Sequence, residues 1–271
     1  MSIFDTANWR YIDQSTLGIT FSPLHSFAID DTLCASVGEE NSIATVRTWV
    51  HNQTIVLGIQ DSRLPHIEDG IHYLTEQNYN VIVRNSGGLA VVLDEGILNI
   101  SLIVKENRQI SINSGYEAMV ELIQAMFPET SNIIAGEVVG SYCPGSFDLS
   151  IDGKKFAGIS QRRVRGGVAV QIYLCVNGSG SDRAATIQHF YHLAVNGKET
   201  KFQYPVIVPE TMASLQELLQ VDLDVARVVE RLLTVLKNNK NAEIIVSQLT
   251  VAEQPLYKAN YERIVKRQLE F

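Results

Sequence analysis

Cysteine is scarce in this chain and is not arranged for disulfides or for zinc. The 271 residues include only three cysteines, Cys34, Cys143 and Cys175. No two of them form the C-x-x-C pair of a zinc ribbon, and three scattered cysteines are too few for a disulfide framework. With 45% apolar residues, the chain is long enough to bury a core without cross-links.

Long apolar runs are also missing. No segment approaches the roughly 20 apolar residues that a transmembrane helix needs, and the polar N-terminal stretch MSIFDTANWRYIDQS does not resemble a secretory signal. Charged residues make up 19% of the chain, and the net charge is −8. These features exclude a disordered chain and argue against nucleic-acid binding over the whole surface. They predict a cytoplasmic protein without a membrane partner.

Apolar periodicity alternates between strands and helices without a strict βαβ repeat. Helical spacing is found at 24–37, 64–77, 115–127 and 182–194, and β-rich runs at 43–50, 54–58, 80–85, 89–93, 97–104, 131–139, 146–151, 154–160 and 166–176. We expect the first two β-rich runs to form a hairpin. The last 60 residues show only helical patterns. The sequence predicts an α+β fold with a mixed, largely antiparallel sheet, flanking helices and a helical C-terminal extension (about 209–271), in a single domain covering 1–271.

A second hairpin is indicated at Asp152-Gly153. This pair joins two alternating runs, and Asp-Gly is preferred in two-residue type I′ turns. Regular pairing places Ser150 opposite Lys155 and puts Asp148 on the same polar face. That face is either an ordinary solvent-facing side or part of a site.

Cys143 lies in Gly-Ser-Tyr-Cys-Pro-Gly, just before this hairpin. Small residues and a proline leave the thiol accessible on a stiff turn. Cysteine reacts as the thiolate, and a neighbouring ammonium such as that of Lys155 lowers the thiol pKa. The alternative is a buried cysteine that acts as a small apolar side chain, which is our interpretation of Cys34 and Cys175. For Cys143 the residues alone leave both possibilities open.

Two adjacent glycines, Gly87 and Gly88, separate two predicted strands after Arg84 and Ser86. Such glycines allow either a tight turn or a close approach of the backbone to a ligand. The segment completes neither the dinucleotide-binding motif nor the Walker A motif.

One part of this acidic chain has no acidic residue. It extends from Gly153 to Ser181 and contains five basic residues: Lys154, Lys155, Arg162, Arg163 and Arg165. The cluster predicts either a docking surface for an acidic partner or a solvated loop.

Two of these segments resemble signatures of the biotin/lipoate ligase superfamily. Residues 84–96, RNSGGLAVVLDEG, are similar to its first motif, and residues 152–163, DGKKFAGISQRR, to its second. The resemblance covers about 25–200 and implies a ligase-like core with a mixed sheet and an acyl tunnel. It also implies that the acyl group or substrate is bound by Arg84, Ser86, Gly87, Gly88, Asp148, Gly158 and Ser160.

Departures from the ATP-using lipoate ligases narrow this resemblance. Leu89 stands where those ligases carry a third glycine and Leu93 where they carry a histidine, which argues against nucleotide activation. Residues 141–163, SYCPGSFDLSIDGKKFAGISQRR, are instead similar to the bacterial octanoyl-[glycine cleavage H protein]:protein N-octanoyltransferase family. That resemblance implies that Cys143 forms an acyl-thioester and that Lys155 lowers its thiol pKa.

The same resemblance implies the partners. The donor would be the octanoylated glycine cleavage H protein, and the acceptor would be the lipoyl domains of 2-oxoacid dehydrogenase E2 subunits. Exchange of one amide for another through a covalent intermediate is expected to need no ATP, cofactor or metal. Three alternatives stay open: an octanoyltransferase that uses octanoyl-acyl carrier protein, an ATP-dependent lipoate-protein ligase, and a non-catalytic acyl-protein binding module.

Overall fold

The structure is a computed structural model that describes residues 6–17, 21–107, 110–239 and 241–269. Its helices are α1 Pro23–Gly38, α2 Ile67–Glu76, α3 Ile112–Met126, α4 Gly180–Val195, α5 Leu215–Leu219, α6 Val225–Asn238 and α7 Gln254–Leu269. Its strands are β1 Asn8–Gln14, β2 Thr45–Trp49, β3 Thr54–Leu57, β4 Asn80–Val83, β5 Val91–Leu93, β6 Ile97–Lys105, β7 Ile134–Ala135, β8 Leu149–Ile151, β9 Lys154–Val164, β10 Gly167–Cys175 and β11 Glu243–Val246. Among the helices of these ranges, none is long and apolar enough to cross a membrane.

The described strands form a large and a small sheet. The large sheet has the order β11-β1-β2-β6-β10-β9-β8-β7, and only the β11–β1 and β1–β2 neighbours are parallel. The small sheet has the order β4-β3-β5, with β3 parallel to β4 and antiparallel to β5. This architecture confirms the predicted α+β class with a mixed, largely antiparallel sheet.

The two faces of the large sheet are covered by different helices. The sequence of β6 shows which of its residues point to each face. Successive side chains of a strand point to opposite faces. Leu98 and Leu102 belong to the main core with α3 and α6, whereas Ile103 packs with residues of α1. Asn99 therefore points to the α1 side, which is also the side of the candidate site. Helices α2 and α4 pack over the small sheet.

The expected hairpin between 43–50 and 54–58 is wrong, although both strands exist. β2 pairs with β1 and β6 in the large sheet, whereas β3 pairs with β4 and β5 in the small one. The connection carries no glycine turn signal. Instead, His51 is buried there and bonds to the Ser26 hydroxyl at 2.9 Å and the Phe21 carbonyl at 3.0 Å. These contacts hold the chain where it crosses between sheets.

The hairpin at Asp152-Gly153 is confirmed. Both residues have positive φ, 50° and 76°, as a type I′ turn requires. Ser150 lies opposite Lys155 as predicted, but a bulge between Leu149 and Ser150 interrupts the regular pairing. A bulge bends its strand and re-aims side chains.

Two strands were missed, at either end of the chain. The N-terminal stretch was interpreted as merely polar and the last 60 residues as helical, yet β1 and β11 pair in parallel. Polar composition hid β1, because its buried Arg10 is neutralised by Glu253 from the far end of the chain. The predicted strand 131–139 is reduced to two residues, β7.

Candidate active site

A cavity of about 340 Å³ lies where the two sheets meet under α1. Its size is within the range of small-molecule sites. All nine residues singled out from the sequence line it: Arg84, Ser86, Gly87, Gly88, Cys143, Asp148, Lys155, Gly158 and Ser160. The structure therefore brings together two motifs and a cysteine loop that are far apart in the chain.

The thiol of Cys143 is half-buried and faces two donors. The backbone N–H of Leu89 lies 3.3 Å from Sγ, and Nη2 of Arg84 lies 3.6 Å from it. Arg84 also donates to the Leu89 carbonyl, so the guanidinium is fixed beside the sulfur. Hydrogen-bond donors of this kind favour the charged form of an acidic group, and the site is suited to hold a thiolate.

The close approach of the glycine loop to the sulfur requires Gly88. Its φ is +104°, and a Cβ placed there would lie 2.3 Å from Arg84 Nη2 and 3.3 Å from Cys143 Sγ. A Cβ on Gly58, in turn, would lie 1.9 Å from the Gly88 carbonyl oxygen. Both positions lack a side chain because backbone, guanidinium and sulfur already fill the space.

Lys155 lies beneath the cysteine turn and is almost fully buried. Its Nζ donates to the carbonyl oxygens of Tyr142 at 3.0 Å and Cys143 at 2.9 Å, and lies 2.9 Å from a carboxylate oxygen of Asp148. Burial raises the pKa of Asp148 above its ordinary value, although Lys155 opposes this shift. The contacts hold Cys143 in a left-handed conformation with φ of 44°, which an L-residue rarely adopts.

The other two cysteines are core residues, as interpreted from the sequence. Cys34 and Cys175 are 0% and 1% exposed, and burial raises the pKa of both thiols to about 12. A thiol with such a pKa is inert near neutral pH. Cys143 is the cysteine that reaches the cavity.

The cavity runs across the strands of the large sheet. Trp49, Asn99, Tyr173 and Gly158 are neighbours on four adjacent strands, and all of them line it. Three interstrand spacings of about 4.8 Å give a length of about 14 Å. Apolar side chains cover this row from α1 and the small sheet: Phe27, Val56, Val91 and Leu93. The space is long and apolar enough for a medium-length acyl chain.

A polar row bounds the cavity beside this apolar one. Ser101 and Gln171 pair across β6 and β10 and both donate to Asp30, at 2.7 and 2.5 Å. The Asp30 carboxylate also binds the fully buried guanidinium of Arg47 at 2.8 Å. Because these groups satisfy one another, the wall can stay polar inside the protein.

A second, open groove of about 960 Å³ meets the cavity at the cysteine. The two share Ser86, Gly87, Gly88, Cys143 and Pro144. Exposed apolar side chains border the groove, with Val139 83% and Val206 85% accessible to solvent. The sulfur therefore lies between an apolar cavity and a wide surface groove.

The basic segment 153–181 is largely neutralised by acids from elsewhere in the chain. Arg162 pairs with Asp31 at 2.5 Å, Arg165 with Glu39 at 3.3 Å, and Arg163 with Glu106. Lys155 is buried against Asp148. The fold thus supplies acids that the local sequence lacks, and the interpretation of this segment as a docking surface stays a prediction.

Sequence reasoning missed the groups nearest the sulfur. Leu89 differs from the ligase motif only by replacing a glycine, and the identity of a side chain does not show where its backbone N–H points. The Tyr142 carbonyl that anchors Lys155 is likewise a backbone group. The only available signal was indirect, in the glycine pair that precedes Leu89.

Comparisons with known proteins agree with this geometry. Residues 22–237 match the model of the lipoyl protein ligase A/B catalytic domain. An octanoyl-[GcvH]:protein N-octanoyltransferase from an Exiguobacterium species is 60% identical over 261 residues, covering 96% of this chain and 92% of that protein. The protein of the same name from Staphylococcus aureus is 52% identical, covering 97% of this chain and 94% of that protein.

The fold has solved relatives as well. A putative lipoate protein ligase from T. acidophilum with bound lipoic acid superposes with a TM-score of 0.71 at 17% identity, covering 94% of this chain and 95% of that one. At this identity the likeness concerns the fold. The match to the family model over most of the chain, together with relatives of more than 50% identity, shows that the chain belongs to the lipoyl protein ligase A/B catalytic-domain family.

Proposed function

We propose that this chain is an amidotransferase that moves an octanoyl group between protein lysines through a thioester on Cys143. The donor is the octanoylated glycine cleavage H protein, and the acceptor is a lysine of the lipoyl domains of 2-oxoacid dehydrogenase E2 subunits. One observation carries the proposal: a cysteine sulfur faces an N–H and a guanidinium where an apolar cavity meets an open groove. The names of the relatives supply the donor.

In the first half-reaction the Cys143 thiolate attacks the carbonyl carbon of the octanoyl-lysine amide. The C–S bond forms, the C–N bond breaks, and the carrier lysine leaves as an amine after its nitrogen takes up a proton from solvent in the open groove. The octanoyl chain lies in the apolar cavity. Covalent catalysis of this kind divides one difficult amide exchange into two easier steps.

In the second half-reaction the amine of the acceptor lysine attacks the thioester carbonyl. A new C–N bond forms, the C–S bond breaks, the amine loses a proton to solvent in the groove, and the thiolate is restored. One amide is consumed and one is made, so the balance requires no ATP. The Leu89 N–H and Arg84 stabilise the sulfur anion at the start and at the end of the cycle.

Lys155 has a positional and an electrostatic role in this proposal. Its ammonium bonds to the Cys143 carbonyl at 2.9 Å, and so it fixes the turn that presents the sulfur. The same positive charge, desolvated beneath the turn, favours the thiolate over the thiol. Asp148 keeps the ammonium in place through its own contact at 2.9 Å.

The open groove is the path by which each protein-borne lysine reaches the sulfur. The amide to be cleaved carries the acyl chain on one side and a whole protein on the other. With the chain in the apolar cavity, the carrier must lie in the groove edged by Val139 and Val206. Both partners would use this groove in turn, because the sulfur is shared by the cavity and the groove.

Intact mass spectrometry after mixing with octanoyl-H protein, without ATP, tests the function. We expect an octanoyl adduct on Cys143 that hydroxylamine removes, that is absent in Cys143→Ala, and that an added lipoyl domain discharges. Octanoyl-acyl carrier protein is compared as donor in parallel. An adduct on lysine, or one that persists in Cys143→Ala, contradicts the mechanism. Faster loading from the acyl carrier protein, or labelling that depends on ATP, assigns the chain to a rival activity.

A further inference from the structure

Asp61 is a buried carboxylate that the proposed chemistry does not use. It starts a short 3-10 turn, Asp61–Arg63, and none of its surface is exposed to solvent. One carboxylate oxygen accepts the Gly58 N–H at 2.7 Å, and the other accepts the hydroxyl of Tyr191 on α4 at 2.8 Å. A buried charge needs such partners, and here they lead toward the active site.

The contacts of Asp61 continue in two steps to the cysteine. The Tyr191 oxygen accepts the Ala90 N–H at 3.3 Å. Ala90 follows Leu89, whose own N–H lies 3.3 Å from the Cys143 sulfur. Asp61 also holds the N–H of Gly58. Gly58 packs so closely against the Gly88 carbonyl that no Cβ would fit there. The carboxylate thus holds the loop 86–90 from both sides.

We infer that Asp61 and Tyr191 are positioning residues for the octanoyl transfer: together they clamp the loop 86–90 so that the Leu89 N–H and Arg84 face the Cys143 sulfur. This inference rests on the proposed function for its role in catalysis, and on the geometry alone for its effect on the thiol. The hydrogen bonds of these two side chains go to Gly58, to Ala90 and to each other, and not to the sulfur. They act through the backbone between Gly88 and Ala90.

Burial of Asp61 makes the clamp sensitive to pH. Burial raises the pKa of Asp61 to about 6, while its bonds to Gly58 and Tyr191 and the charge of Arg84 oppose that shift. The titratable groups that face it are Arg84, Tyr191 and Tyr204. When Asp61 takes up a proton, it loses an acceptor site, and its two donors compete for what remains.

Tyr191→Phe is the primary test, because it deletes the one oxygen that links the Asp61 carboxylate to the Ala90 N–H through α4. The direct backbone contact of Ala90 with Asp61 remains. We expect octanoyl transfer to slow about tenfold, less than the loss of a direct donor costs. We also expect the pH curve of Cys143 alkylation by iodoacetamide to move to higher pH, since the thiolate loses an aligned donor. Because burial raises the pKa of Asp61 to about 6, we expect an inflection of that curve near pH 6, and Asp61→Asn should abolish it.

Tyr11→Phe is the matched control. Tyr11 is a buried tyrosine whose hydroxyl contacts Thr48 at 2.9 Å, and β1 does not line the cavity or the groove. Tyr11→Phe should lower the melting temperature without moving the pH curve of Cys143 alkylation. The inference would be overturned if, in Tyr191→Phe, the pH curve of Cys143 alkylation did not move and the transfer rate stayed within twofold of wild type. The alkylation curve also separates outcomes: if it moves while no variant transfers octanoyl groups, the clamp stands and the proposed function fails.

Discussion

At the scale of single residues, this protein buries several pairs of opposite charges. Arg10 and Glu253 meet with both side chains 6% exposed, and Arg47 and Asp30 with 0% and 3%. Removing one partner of a buried pair leaves an uncompensated charge and costs several kcal/mol. The pairs therefore stabilise the fold only while both partners are ionised, so their contributions depend on pH.

Glu253 provides a measurable case. Burial raises its pKa, but hydrogen bonds from Arg10 and the Thr250 backbone outweigh this and bring the pKa of Glu253 to about 2, below the ordinary 4.5. A lowered carboxyl pKa stabilises the fold above the unfolded value, and that stability is lost as pH falls toward the folded one. We expect Glu253→Gln to lower the free energy of unfolding by about 3 kcal/mol at pH 7.

Urea denaturation at several pH values checks this expectation. The difference between wild type and Glu253→Gln should shrink as pH falls from about 4.5 to about 2. Glu262→Gln, at an exposed position of α7, should change stability little at any pH. A difference that does not vary with pH would contradict the assignment of the effect to ionisation.

At the scale of elements, α7 acts as a brace on the small sheet and the glycine loop. The Gln268 side chain bonds to both the N–H and the carbonyl of Val83, at 2.8 and 2.7 Å, along the edge strand β4. Arg263 and Asn85 both bind the buried Asp31 of α1, at 2.9 and 3.0 Å. A covered edge strand cannot pair with another molecule, so the helix both protects the sheet and fixes the approach to Arg84.

Hydrogen exchange reports this brace directly. In Gln268→Ala the Val83 amide loses its acceptor, and its exchange should quicken about tenfold, equivalent to the loss of one hydrogen bond. Lys266→Ala, an exposed change two residues away on the same helix, should leave the rate unaltered. Equal protection of Val83 in wild type and Gln268→Ala would show that the helix does not stabilise this edge.

The elements also show what a sequence can and cannot predict. β6 and β10 were recognisable because buried strands of β-branched residues leave a local pattern, and Asp152-Gly153 because a turn with two positive φ angles restricts residue choice. The separation of β2 from β3 was not recognisable from the sequence, because the partners of a strand depend on strands that are distant in the chain. The same limit applied at the site: motifs predicted which residues gather, while the donors to the Cys143 sulfur depend on the folded backbone.

At the scale of the whole molecule, the chain is organised around one sulfur with two unlike sides. The apolar cavity spans four strands of the large sheet, and the groove is built from the glycine loop of the first motif, the cysteine loop, and the segments 59–63 and 202–206. A free fatty acid would need only the cavity. The groove is large enough to receive the surface of another protein, in keeping with a substrate whose acyl group is attached to a folded carrier.

Val206→Glu tests this division of roles. A charge placed at this exposed groove position should slow thioester formation from octanoyl-H protein about tenfold, because apolar contacts at the edge are lost on docking. Alkylation of Cys143 by iodoacetamide, which needs no docking, should stay at the wild-type rate. Val251→Glu, at a position 90% exposed but outside the groove, is the control. Equal effects of the two substitutions would remove the groove from carrier binding.

The three hydrogen-bond acceptors around Nζ of Lys155 affect whether the enzyme can inactivate itself. In the proposed reaction a thioester forms close to a lysine of the enzyme itself, and an amine in that position could capture the acyl group by S-to-N migration. Only an unprotonated amine with a free lone pair can do so. Two carbonyls and the Asp148 carboxylate surround Nζ, and donation to all three uses the three hydrogens of an ammonium, which has no lone pair. An enzyme that acylates lysines thereby avoids acylating its own.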